Sequence, residues 1–139
     1  MSKLAWIVVF AALSAAPAAA QSAIPDVRGT WKGESESIIL GPGNPHHVAP
    51  SSTEPRLDNV PFTMTIDKQD GRRFSGTFSS ARANDKFVAV ISRNNTILLV
   101  DDDGYTVGSI LAPNRIELCY MHLSQATRLA SCAEMTKQP

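Results

Sequence analysis

The stretch Pro61 to Ser80, PFTMTIDKQDGRRFSGTFSS, constrains the fold of this chain more than any other. Phe62, Met64 and Ile66 alternate with Thr63, Thr65 and Asp67; after Gly71, Phe74, Gly76 and Phe78 alternate with Ser75, Thr77 and Ser79. A period of two on both sides of an Asp-Gly turn means a β-hairpin with one buried face. A one-residue slip would move a whole set of side chains to the other face. A two-residue Asp70-Gly71 loop sets Phe74 and Phe78 against the wrong face. A three-residue loop, Gln69 to Gly71 with Gly71 left-handed, predicts Ile66 opposite Phe74, Met64 opposite Gly76 and Phe62 opposite Phe78.

The same alternation recurs along the rest of the chain. Val27 to Leu40 reads as a strand with Val27, Gly29, Trp31 and Gly33 on one face. Trp31 is the natural plug for one end of a small core, and Gly33 a place for a bend or bulge. Phe87 to Ser92, Thr96 to Val100 and Tyr105 to Leu111 read as strands joined by Arg93-Asn94-Asn95 and Asp101 to Gly104. Both faces of the first two carry apolar residues, so the register of 87–111 stays open. No segment after residue 20 has a helical period. About eight short strands with tight turns predict an all-β fold, and consecutive hairpins predict an antiparallel up-and-down barrel, which closes to remove its edges.

The final hairpin, Arg115 to Leu123 and Thr127 to Lys137, carries its own check. A Gln125-Ala126 turn sets Ile116 opposite Met135, Leu118 opposite Ala133, Tyr120 opposite Ser131 and His122 opposite Leu129. On the other face it sets Cys119 directly across from Cys132, within disulfide reach. It also sets Glu117 against Glu134, a mildly unfavourable pair.

Met1 to Ala20 reads as a leader rather than part of the fold. Lys3 precedes the apolar run Leu4 to Leu13, and Ala18-Ala19-Ala20 supplies small residues for cleavage after Ala20. The run is too short to span a bilayer, and no cysteine follows to take a lipid. The expectation is a periplasmic or secreted protein whose mature domain is 21–139, with no transmembrane segment, and whose two cysteines form a disulfide. The whole chain has 13 basic and 13 acidic residues. That balance argues against nucleic acid or an anionic membrane surface as partner.

Residues 41–59, GPGNPHHVAPSSTEPRLDN, hold four prolines and two glycines and read as a long loop, partly ordered at best, serving either as a lid or as disordered chain. His46 and His47 suggest a soft divalent metal, but adjacent histidines on such a loop rarely converge, so no metal is assigned. Asp101-Asp102-Asp103-Gly104 lacks the alternate ligands and distal Glu of a calcium loop and reads as a turn. No Gly-x-Ser-x-Gly and no phosphate loop is present, so no catalytic residue and no cofactor is assigned, and the chain reads as a non-enzyme.

Gly29-Thr30-Trp31, Phe62 to Ile66, and Gly76-Thr77-Phe78-Ser79-Ser80-Ala81 with Asn84 resemble the N-terminal half of the avidin/streptavidin family. The Gly-x-Trp opening is shared with lipocalins. The resemblance implies an eight-stranded barrel with a ligand mouth, with Ser80 and Asn84 matching polar biotin contacts and Ser37 matching a serine early in the first turn. Phe78 replaces the family's ureido-binding Tyr, Gly33 replaces an Asn, and no Trp follows Trp31, so biotin is not the implied ligand. A small apolar molecule suits a mouth bounded by Ser37, Phe62, Phe78, Ser80, Asn84, Tyr120 and His122 better. Two other readings stand beside this carrier. One is a module for a periplasmic protein, such as a protease inhibitor that acts through a free N-terminal arm, Gln21 to Pro25. The other is an envelope structural protein.

Overall fold

The computed structural model describes residues 23–48 and 50–139; the leader lies outside them. Eight strands follow one another: β1 Gly29–Leu40, β2 Arg56–Asp70, β3 Arg73–Ser79, β4 Asn84–Ile91, β5 Thr96–Val100, β6 Tyr105–Ala112, β7 Arg115–Leu123 and β8 Arg128–Lys137. Each pairs antiparallel with the next, and β1 pairs with β8, which closes the barrel. The all-β, eight-stranded antiparallel barrel expected from the alternation is therefore the observed fold. The resemblance to the N-terminal half of the avidin/streptavidin family is corrected: the barrel is one complete ring from Gly29 to Lys137, built from all eight strands rather than from a half.

The alternation assigns faces correctly. Phe62, Met64, Ile66 and Phe74 are buried inside the ring, while Asp67 and Lys68 face water. The register of the β2–β3 hairpin differs from the expected one by two residues: Met64 opposes Phe78 and Ile66 opposes Gly76. The turn is Gly71-Arg72 between Asp70 and Arg73, with Gly71 left-handed at φ 58°. The odd residue is absorbed by a bulge at Asp67 instead of by the loop. An even slip preserves the faces, which is why hydrophobic pattern alone did not exclude it. Gly76 is required where the strands cross, because a Cβ there would lie 1.9 Å from the Thr65 carbonyl oxygen.

In β4 to β6 the open register resolves with Phe87, Ile91, Ile97, Leu99 and Thr106 inward. The β7–β8 hairpin adopts the expected register throughout, including Cys119 opposite Cys132. These two are disulfide-bonded on the outer face, with Cα atoms 4.1 Å apart. Glu117 does oppose Glu134, and Arg115 draws the Glu134 carboxylate away at 3.1 Å.

One end of the barrel is packed solid. Trp31, Met64, Ile91, Ile97, Ile116 and Met135 are almost fully buried there. The segment before β1 covers this end: Trp31 Nε1 donates to the Val27 carbonyl at 2.9 Å, and Val27 N donates to Gln69 Oε1 at 2.9 Å. Gln69 Nε2 donates in turn to the Pro25 carbonyl at 2.8 Å. A glutamine of β2 thus tethers the chain at Pro25, the last residue of the arm expected from sequence, while Ala23 and Ile24 ahead of it are exposed and Gln21 and Ser22 lie outside the described residues.

The long loop also differs from expectation. β2 starts at Arg56, so 56–59 are strand and the loop is 41–55. It is not loose throughout: Asn44, His46 and His47 are buried.

Candidate binding site at the barrel mouth

An up-and-down barrel places alternate loops at the same end. Loops 41–55, 80–83, 101–104 and 124–127 gather at the mouth opposite the Trp31 end. The inner wall below them changes character. Ser35, Ser37, Thr106, Ser131 and Ala133 are buried there, all small. Ser37 Oγ donates to Ser131 Oγ at 2.8 Å and lies 3.1 Å from Ser35 Oγ, so this polar stripe across β1 and β8 satisfies itself. Small inward side chains leave space. Loop 41–55 fills most of it with Asn44, His46 and His47.

The loop is fastened from several sides. Asn44 Oδ1 accepts the backbone N–H groups of His46 and His47 at 3.1 and 3.0 Å, an Asx turn that aims both rings into the barrel. Gly43 lies at φ 89°, and a Cβ on it would meet the His47 carbonyl oxygen at 2.0 Å. Thr127 Oγ1 donates to the Gly43 carbonyl at 3.0 Å. Arg56 and Arg82 donate to the His47 and His46 carbonyls at 2.8 and 3.3 Å.

Each histidine has its own carboxylate. His46 Nε2 lies 2.9 Å from Asp85 Oδ2, and its Nδ1 lies 2.8 Å from Ser80 Oγ. Ser80 Oγ already accepts from the N–H groups of Arg82 and Ala83, at 3.1 and 3.3 Å. With those two N–H groups on its lone pairs, the Ser80 hydroxyl faces Nδ1, and Nε2 faces the Asp85 carboxylate. Ser80, His46 and Asp85 form a Ser-His-Asp trio by composition, with the hydroxyl engaged in its own turn; the trio fastens the loop to the β3–β4 connection. His47 Nδ1 lies 3.1 Å from Asp58 Oδ2. Burial pushes the His47 pKa down, outweighing the Asp58 carboxylate, which favours the charged ring.

An aromatic pair forms the floor. Phe62 and Phe78 ring centroids are 4.7 Å apart, and His46 meets Phe62 edge-on at 5.1 Å. Across the mouth Tyr120 donates to Asp103 Oδ1 at 2.6 Å and receives the Asn44 amide at 3.3 Å. Burial, and then the Asp103 carboxylate, hold the Tyr120 phenol well above its ordinary range. Burial also raises Asp101, whose Oδ1 caps the turn by accepting from Gly104 N at 2.8 Å. Beneath the loop a cavity of about 40 Å³ remains, lined by Ser35, Phe62, Leu99, Thr106, Leu118 and Ser131 among others. It has room for roughly two or three waters.

Of the residues singled out from sequence, Phe62, Phe78 and Tyr120 line this cavity. Ser37 stands behind Ser35 and Ser131 in the wall, and Ser80 sits at the rim on His46. His122 is outside the cavity lining and holds the 101–104 turn, with Nδ1 2.6 Å from the Asp103 carbonyl oxygen. Asn84 does not join them: it is exposed and accepts from the Ser79 hydroxyl at 2.6 Å. Sequence reasoning weighed His46, His47 and Asp103 only as metal ligands and assigned none of them to the mouth, and it did not single out Asp85 or the Ser35–Ser131 pair of the wall. The Asn44-x-His46-His47 spacing, an Asx turn ahead of two histidines, was the one local signal. Among the described residues no group of three or more His, Cys, Asp or Glu could hold a metal ion, and no helix is long and apolar enough to cross a membrane.

No family model and no curated protein matches the chain. Among solved structures the chain is similar to the S-type phycobiliprotein lyase CPES from Guillardia theta, at 13% identity and a TM-score of 0.49, with 81% of this chain and 89% of that chain covered.

Proposed function

We propose that this protein is an exported, non-enzymatic binding barrel that takes a small, mostly apolar molecule into its mouth, with loop 41–55 as a displaceable cover. The observation that carries this reading is the unequal filling of the interior. One end is packed by large side chains of the strands themselves. The other is walled by Ser35, Ser37, Thr106, Ser131 and Ala133, and is filled from outside by Asn44, His46 and His47. Side chains that enter a barrel from a loop can leave without dismantling the strands. The space they would vacate has Phe62, Phe78, Leu99 and Leu118 as apolar walls and the serine stripe as a polar patch, the composition of a small-molecule pocket. Export rests on the Met1 to Ala20 leader and agrees with the Cys119–Cys132 bridge. The tether of Pro25 and Val27 to Gln69 counts against a free inhibitory arm.

Native mass spectrometry of the protein purified from its own cells tests the proposal. A retained small molecule that is lost on denaturation is the expected result. A clean apo mass, together with no uptake of an apolar fluorescent probe by a His46→Ala/His47→Ala variant that remains folded, would overturn it.

A further inference from the structure

The outer wall of the barrel is uneven. On β1, β2, β7 and β8 the outward residues are mixed: Lys32, Glu34, Glu36, Glu117 and Glu134 stand among the exposed Ile38, Leu57 and Leu123. On β4, β5 and β6 they include Val88, Val90, Leu98, Val100, Tyr105, Val107 and Leu111, each between 40% and 66% exposed, with Asn84, Lys86, Thr96 and Ser109 toward the strand ends. Register makes this a single patch. Val88, Val100 and Tyr105 are cross-strand neighbours in one row, and Val90, Leu98 and Val107 in the next. Within β4–β6 neither row carries a charge; the first continues through Met121, Ala130 and Ile38 to Leu57, and the second ends at Arg73 on β3 and at the disulfide-bonded Cys119 on β7. Inward packing does not explain them, because Phe87, Ala89, Ile91, Ile97, Leu99 and Thr106 already supply the inner face of the same strands. A contiguous apolar patch of this kind marks an interaction surface.

We propose that the outward face of β4, β5 and β6 is the two-fold interface of a homodimer. The seven residues expose on the order of 600 Å² per copy, so pairing two faces buries at most on the order of 1,200 Å² from them in total, the lower end of a stable interface. The closed ring has no free edge to offer a partner strand, so a second copy must meet this one face to face. A face-to-face pair of identical patches has the isologous symmetry of most homodimers.

Sedimentation equilibrium of the mature, disulfide-intact chain over a concentration series tests this. The expected result is a concentration-dependent dimer that Leu98→Glu or Val107→Glu converts to monomer. Both side chains point outward, so the circular dichroism spectrum and melting temperature should stay near wild type. If either glutamate variant misfolds, Val100→Ser, which keeps the strand alternation, should weaken dimerisation at least tenfold. A wild-type monomer at every concentration would overturn the proposal, as would a dimer indifferent to these substitutions. A monomer that co-sediments with phosphatidylcholine vesicles would also overturn it and assign the face to a lipid surface.

Discussion

At the scale of single residues, backbone crossings and buried imidazoles dominate. Gly76 sits where β2 passes β3, and a methyl group there would meet the Thr65 backbone rather than a movable side chain. Gly76→Ala is therefore expected to cost about 3 kcal/mol or more in a urea titration, at the upper end for overpacking. His47 carries a pH dependence. Its pKa in the closed loop lies below the ordinary 6.5, so the closed form binds a proton less readily than the open one. Closure is fully favoured above about pH 6.5 and weakens as pH falls through that value towards the depressed one, where the loss levels off. Asp58, Arg56 and His46 are the charged and titratable groups facing this ring. Amide protection factors at His46 and His47, whose N–H groups bond Asn44, should fall between neutral and mildly acidic pH. Protection that is flat with pH, or that rises on acidification, would contradict this role for His47.

At the scale of elements, the β7–β8 hairpin and loop 41–55 contrast. The hairpin is over-determined: turn, apolar face and cysteine pairing select the same register. The bridge closes a sequence separation of 13. Replacing both cysteines by serine should cost roughly 3 kcal/mol in the chain-entropy model while leaving the barrel topology intact. A thermal melt of the reduced or Cys119→Ser/Cys132→Ser protein checks this. Loop 41–55 is held by individually modest bonds and turns at Gly43, whose φ of 89° suits glycine alone, and none of its residues takes part in the strand pairing. Gly43→Ala, at φ 89° and against the His47 carbonyl, should unfasten it without unfolding the ring. The expected readout is faster amide exchange at His46 and His47, with strand amides unchanged. Global loss of protection would show that the loop is part of the core instead.

At the scale of the whole molecule, one end of the barrel is packed by strand side chains and the other is filled from loop 41–55. The packed end depends on Trp31, sealed by Val27 and Gln69. Trp31→Ala should destabilise the fold by about 3–5 kcal/mol, measured by chemical denaturation. His46→Ala/His47→Ala at the other end should cost much less, because small polar walls there tolerate water. Equal costs at the two ends would argue that the mouth is as much core as the base, and against the cover.

The sequence by itself determined that there are eight strands in antiparallel order, the inward and outward faces of β1, β2, β3, β7 and β8, and the disulfide; the faces of 87–111 it left open. These follow from a period of two and from short-range turns, which are local signals. It could not place the bulge at Asp67, because a slip of two residues leaves the same faces buried and only closure with β1 and β4 distinguishes the registers. It assigned 41–59 to a loop partly ordered at best because proline and glycine content is read locally. The partners that order the loop, Asp58, Ser80, Asp85, Tyr120 and Thr127, are spread from β2 to the last turn. Ring closure alone brings them to one mouth. The site was illegible for the same reason that the strands were legible: alternation reports which face a residue occupies, and only tertiary structure decides what stands opposite it across the barrel.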